Sequence, residues 1–208
     1  MAVKQYNNSG TQGMQDDKLL LKQQRKRAAK PLLWVSMGSI FMAFAGLVSG
    51  YIVSRGFLLE KGQWVEFKLP NQFIFSTIII IVSSIVLFIG QAQAKKNIER
   101  AGWYMVATLV LGALFCYFQI AAYQNLISRN IYFTGPGSFT SGSWIYAISF
   151  LHLLHIFGGL IALSVASVKA ARHSYSEDDH LGYTLASTFW HFLGFVWIFL
   201  YTFLTFYR

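Results

Sequence analysis

Five stretches of this chain carry no formal charge: residues 32–54, 69–94, 101–128, about 142–168 and 181–207. A helix needs roughly 20 residues to cross the hydrocarbon core of a bilayer, and each of the five is long enough. The acidic residues all lie outside them, at Asp16, Asp17, Glu60, Glu66, Glu99, Glu177, Asp178 and Asp179, and Lys and Arg keep to the same rule. In lipid every backbone N–H and C=O must be satisfied within the segment or within a closed barrel. The runs lack the alternation of barrel strands. The expected fold class is therefore all-α, a polytopic membrane helix bundle with five transmembrane helices. Composition agrees: 55% of the 208 residues are apolar and 12% charged, more apolar surface than a soluble domain of this size can hide.

The loops set an orientation. With five crossings, the N-terminal tail, the second loop and the fourth loop fall on one side and together hold twelve Lys or Arg, against five opposite. The positive-inside rule then puts the N-terminus in the cytoplasm and Arg208 outside. The formal net charge of +9 reads as topology and contact with anionic lipid. Nucleic acid is not an expected partner, because the basic residues are scattered over several loops.

The chain divides into residues 1–30, a basic cytoplasmic tail, and residues 31–208, the five-helix membrane domain. The tail has no short apolar region ending at a small-residue cleavage site and is expected to be retained; residues 17–30 suit either an interfacial helix or a flexible tether. Cys116 is the only cysteine, which excludes a disulfide within the chain and any site needing paired thiolates. The stretch 132–143, with Gly135, Pro136 and Gly137, breaks helix and predicts a loop. Gly46 and Gly50 have the GxxxG spacing that lets a neighbouring helix approach closely, and Gly158 with Gly159 offers a second such point.

Three histidines lie inside apolar runs. His152 and His155 are three apart and share a helix face; His191 lies within the last run. Ionisable residues at membrane depth are functional candidates. Two readings stand: axial haem ligands from two helices, as in a stand-alone bis-histidine membrane cytochrome b, or neutral imidazoles bonded to backbone, tyrosine or lipid, the plainer reading and the favoured one. A transporter is disfavoured, because such proteins place carboxylates or basic groups along their path and none lies here.

Beyond these patterns, residues 180–207 resemble the last helix of subunit III of the haem-copper oxidases (the cytochrome c oxidase subunit III family). That family has a His-x-Gly start followed by Trp-His-Phe and then Val-Trp-x-Phe, matched here by His180, Gly182, Trp190, His191, Phe192, Val196, Trp197 and Phe199. His152 and His155 fall on the histidines of its Phe-His-Gly-Leu-His helix. Looser similarities are Met42, Phe44, Ala45, Gly46 and Leu47, the serine pair Ser83 and Ser84, and Gly112 with Gln119. Five helices correspond to the short bacterial form, which lacks the first two of seven. The departures concern carboxylates: Ile40, Ala122, Thr184 and Gly194 stand where many members carry an acidic residue.

The resemblance implies an accessory, non-catalytic subunit of a respiratory oxidase in a bacterial cytoplasmic (inner) membrane. In such a complex haem and copper belong to partner subunits I and II, and this chain holds no cofactor, no metal and no catalytic residue. Its implied work is to pack against subunit I, support proton uptake and bind phospholipid. Lys169, Arg172 and His173 are candidates for lipid headgroups, with positive-inside anchoring as the plainer reading. The electron donor is expected to be cytochrome c, with quinol as the alternative, and a larger respiratory supercomplex is a further partner the resemblance allows.

Overall fold

A computed structural model of the chain describes the backbone at residues 2–94, 98–171 and 181–207. It has five helices and, among the described residues, no strand: α1 (Ala2–Glu60), α2 (Gln72–Ala94), α3 (Ile98–Ser128), α4 (Thr140–Ala171) and α5 (Leu181–Phe206). Each contains a segment long and apolar enough to cross a membrane. The all-helical five-span fold read from the charge-free runs is the fold observed. His180, Arg172 and His173 lie outside the described residues.

The helix ends depart from the hydropathy boundaries. α1 runs to Glu60 rather than stopping near residue 54, because its stop is set by backbone chemistry. Gly62 takes φ 64°, and Gln63 and Gly62 donate N–H bonds to the carbonyls of Leu58 (2.9 Å) and Leu59 (3.0 Å). These are the paired bonds of a Schellman cap, which favours glycine at the left-handed position. α3 ends likewise on Asn130 at φ 59°, with Ile131 and Asn130 bonding back to Leu126 (3.0 Å) and Ile127 (2.9 Å). Asparagine tolerates that conformation better than other side chains.

Residues 1–38 and 39–208 form two units. In the first, Arg25, Lys26, Arg27 and Lys30 are exposed, and Pro31 sits inside the helix. A proline there removes one backbone donor. One turn on, the Ser36 hydroxyl donates to the Leu32 carbonyl at 2.8 Å.

The second unit is built around α2, α3, α4 and α5, each packed antiparallel to the next in a closed ring. The register can be followed through contacts: Gly90 against Tyr104 between α2 and α3, Tyr123 against Ser149 between α3 and α4, His152 against Trp197 between α4 and α5, and Trp190 against Ser83 between α5 and α2. The part of α1 within residues 39–60 lies beside α4 and α5. There Phe44 meets His152 and His155, and Tyr51 meets Trp144 and Phe203 edge-on.

At one end of the bundle the connection between α1 and α2 is tied to three helices. Glu66 pairs with Arg55 of α1 at 3.5 Å, Ser141 of α4 donates to the Val65 carbonyl at 2.7 Å, and Arg129 beyond α3 donates to the Lys68 carbonyl at 3.2 Å. Arg55 also lies over the Tyr207 ring, 5.4 Å from its centroid. The ion pair is half-exposed and worth little by itself; its effect is to fix the loop across the mouth of the ring.

Candidate functional site

Two tryptophans on α5 organise the interior. Trp190 and Trp197 are seven residues apart, so they project from one helix face two turns apart, and both are buried. Each touches all three other helices of the ring. The Trp190 indole N–H donates to Ser83 Oγ of α2 at 3.1 Å. Its six-membered ring fills the space left by two glycines: a β-carbon on Gly112 of α3 would lie 2.6 Å from Trp190 Cη2, and one on Gly159 of α4 would lie 3.3 Å from Trp190 Cε3. The Trp197 N–H donates to Thr77 Oγ1 of α2 at 3.0 Å. Its ring meets Phe115 of α3 edge-on at 5.4 Å and stacks on His152 of α4 at 5.1 Å and 28°.

The acceptors of α2 are prepared by their own helix. Ser83 donates its proton to the Ile80 carbonyl at 2.8 Å, and Thr77 donates to the Phe73 carbonyl at 2.7 Å. Each lone pair therefore faces the incoming indole. Ser76 repeats the device: it donates to the Phe73 carbonyl and accepts from Gln119 Nε2 of α3 at 3.2 Å. Hydroxyls that bond back to their own helix cost little, because they remain satisfied in a medium without water.

The predicted histidines are placed as follows. His152 and His155 do share a face, and both rings meet Phe44 of α1, at 5.9 and 5.5 Å. His152 is fully buried, between the stacked Trp197 ring, Phe44 and Phe115. Its two ring nitrogens have no hydrogen-bond partner. His155 Nδ1 lies 2.7 Å from the Leu151 carbonyl, a geometry that requires a proton on Nδ1 and leaves Nε2 as an acceptor. His191 is half-buried on α5, and no ring contact joins it to the other two. Aromatic rings fill the surroundings of His152 and leave no space for a haem on that imidazole.

Among the remaining expectations, Phe192 is half-buried and packs on the core, and Lys169 is exposed in the last turn of α4. Where acidic residues are replaced, Ile40 packs against the core, Ala122 is fully buried and Thr184 is exposed. Gly194 faces α2, where a β-carbon would lie 3.1 Å from Ser84 Oγ. The glycine pairs were half right. Gly50 approaches the Trp144 ring and Gly159 the core, but Gly46 and Gly158 meet nothing within 4 Å. Within this chain, further close helix approaches are made at Gly90, Gly112 and Gly194. Sequence reasoning also missed Ser76 and Thr77; the signal was their placement seven and six residues before Ser83, which mirrors the spacing of Trp190 and Trp197.

These features define a polytopic membrane subunit whose interior is neutral and spent on helix packing; no group of three or more His, Cys, Asp or Glu able to hold a metal exists among the described residues. Residues 36–208 match the family of cytochrome c oxidase subunit III, and the chain belongs to that family. It is 29% identical over 181 residues to a cytochrome c oxidase subunit 3 of Thermostichus vulcanus, covering 83% of this chain and 84% of the relative. It is 31% identical over 183 residues to a probable cytochrome c oxidase subunit 3 of Mycobacterium bovis, with 85% and 86% covered. A probable subunit 3 of Nocardia farcinica is 30% identical over 183 residues, with the same coverage. The chain is thus a multi-pass membrane subunit of a haem-copper oxidase complex.

Proposed function

We propose that this subunit is a cofactor-free scaffold of a respiratory oxidase that passes electrons from cytochrome c to dioxygen in a bacterial cytoplasmic membrane. Its work is to stabilise subunit I and to hold phospholipid. The observation that carries this reading is the use of the interior polar groups. Trp190, Trp197 and Gln119 bind hydroxyls of α2, and the His152 ring is enclosed by aromatic side chains. The spans at 72–94, 101–128, 142–168 and 181–206 carry no formally charged side chain, in keeping with replacement of carboxylates at Ile40, Ala122, Thr184 and Gly194. The excess of Lys and Arg on one side supports a cytoplasmic N-terminus. On that side Lys169, exposed in the last turn of α4, is the proposed contact for a lipid phosphate.

The test is co-purification. An affinity-tagged chain extracted in mild detergent is expected to bring down larger partners bearing haem and copper, and the purified complex to consume oxygen with reduced cytochrome c. Recovery of the chain alone across gentle conditions would contradict the scaffold role. Oxygen uptake with quinol and none with cytochrome c would reassign the donor.

A further inference from the structure

Three buried polar atoms lie at successive turns of α5 without a protein partner: the Tyr183 hydroxyl, Ser187 Oγ and His191 Nε2. Their four-residue spacing puts them along one helical stripe. Its neighbours Trp190 and Gly194 contact Ser83 and Ser84 of α2, so the stripe borders the seam between α5 and α2. At its start, the Tyr183 hydroxyl points at Gly90 of α2, where a β-carbon would come within 2.8 Å of the phenolic oxygen.

Tyr183 and Ser187 differ from the other buried serines and from Tyr123 and Tyr146. Of the other buried serines, Ser76, Ser83, Ser149 and Ser167 donate to a carbonyl of their own helix, and Ser141 donates to Val65. Ser187, equally buried, does not. Tyr123 and Tyr146 donate to Ser149 and to the Ile131 carbonyl; Tyr183, 2% exposed, has no such acceptor. A polar atom buried without a partner is costly at membrane depth, and three in a row are not sustained by packing alone. Buried water resolves such a cost where a site is polar and offers two to four partners.

We infer that the seam between α2 and α5 is a binding site for ordered water, held by the Tyr183 hydroxyl, Ser187 Oγ and His191 Nε2. The absence of a side chain at Gly90 lets the phenolic oxygen reach the α2 side of the seam, and Ser84 Oγ beside Gly194 adds a further polar atom. The water runs from the start of α5 as far as His191. It does not extend to Trp197, whose N–H is already satisfied by Thr77.

Radiolytic hydroxyl labelling tests this directly, because bound water generates radicals where it sits. In the full chain, purified with its complex in lipid nanodiscs, Tyr183 is expected to be oxidised several-fold faster than Trp197, which is as deeply buried. Ser187→Val should lower labelling at Tyr183 toward the level of Trp197 and reduce it at His191. Tyr183→Phe, which keeps the ring and removes the hydroxyl, should lower it at His191 and serves if the valine variant does not fold. Labelling of Tyr183 no faster than Trp197, or labelling of His191 that neither substitution changes, overturns the inference.

Discussion

The ring of α2 to α5 and the adjoining part of α1 are both built of apolar helix, yet they pack with a different balance of means. In the ring, glycines receive large side chains: Gly90 takes Tyr104, Gly112 takes Leu160 and Trp190, and Gly159 takes Leu193 and Trp190. Hydroxyls of α2 then lock the indoles in place. α1 attaches mainly through protruding aromatics, Phe44 on the two histidines and Tyr51 among Trp64, Trp144 and Phe203, and its one receiving glycine, Gly50, meets only the edge of the Trp144 ring. Lipid tails are as apolar as leucine, so close fit and hydrogen bonds, more than burial of apolar area, hold membrane helices together. On that reasoning the ring is the stable body and α1 the looser attachment.

Substitutions at glycine should break this contrast if it is wrong, and they can be ranked by unfolding of the purified chain in mixed micelles titrated with a denaturing detergent. The largest effect is expected for Gly90→Ala. Its new methyl would lie 2.6 Å from Tyr104 Cβ, an atom fixed to its backbone, so overpacking should cost about 3 kcal/mol. Gly50→Ala on α1 meets only the far edge of the Trp144 ring at 2.8 Å, which can swing aside, and should cost about 1 kcal/mol. A double-mutant cycle of Trp197→Phe with Thr77→Val should return a coupling of about 0.6 kcal/mol, the usual size for a hydrogen bond between membrane helices. Gly46→Ala should be neutral or slightly stabilising, since nothing lies within 4 Å and alanine is the better helix former. Equal losses at Gly46 and Gly90 would erase the distinction.

The spans were legible because charge is excluded from a hydrocarbon core irrespective of tertiary detail. His152 and His155 could be placed on one face for a similar reason: helical periodicity is local. What stayed hidden depended on pairings between distant residues. Ser83 and Trp190 are 107 positions apart, and a serine in an apolar helix looks the same whether it accepts an indole or faces lipid. The Gly46 and Gly50 spacing predicted a close approach that the chain makes only in part, because GxxxG states that a helix can come near and not that one does. α1 outran its apolar stretch because Gly62 set its end, a signal of turn chemistry that hydropathy does not carry.

The family resemblance rested on motif residues at Trp190, His191, Phe192 and Trp197, and the structure supplies a physical reason for the two tryptophans: each joins all four helices of the ring. It gives His152 a comparable place, as a stacked aromatic ring in the layer of Trp197.

Absorption spectroscopy of the chain after separation from its partner subunits tests the scaffold reading most directly. The account predicts a colourless protein, with no Soret band in either redox state and no spectral change on His191→Ala or His152→Leu. A Soret band that stays with the isolated chain and is lost on His191→Ala would contradict it.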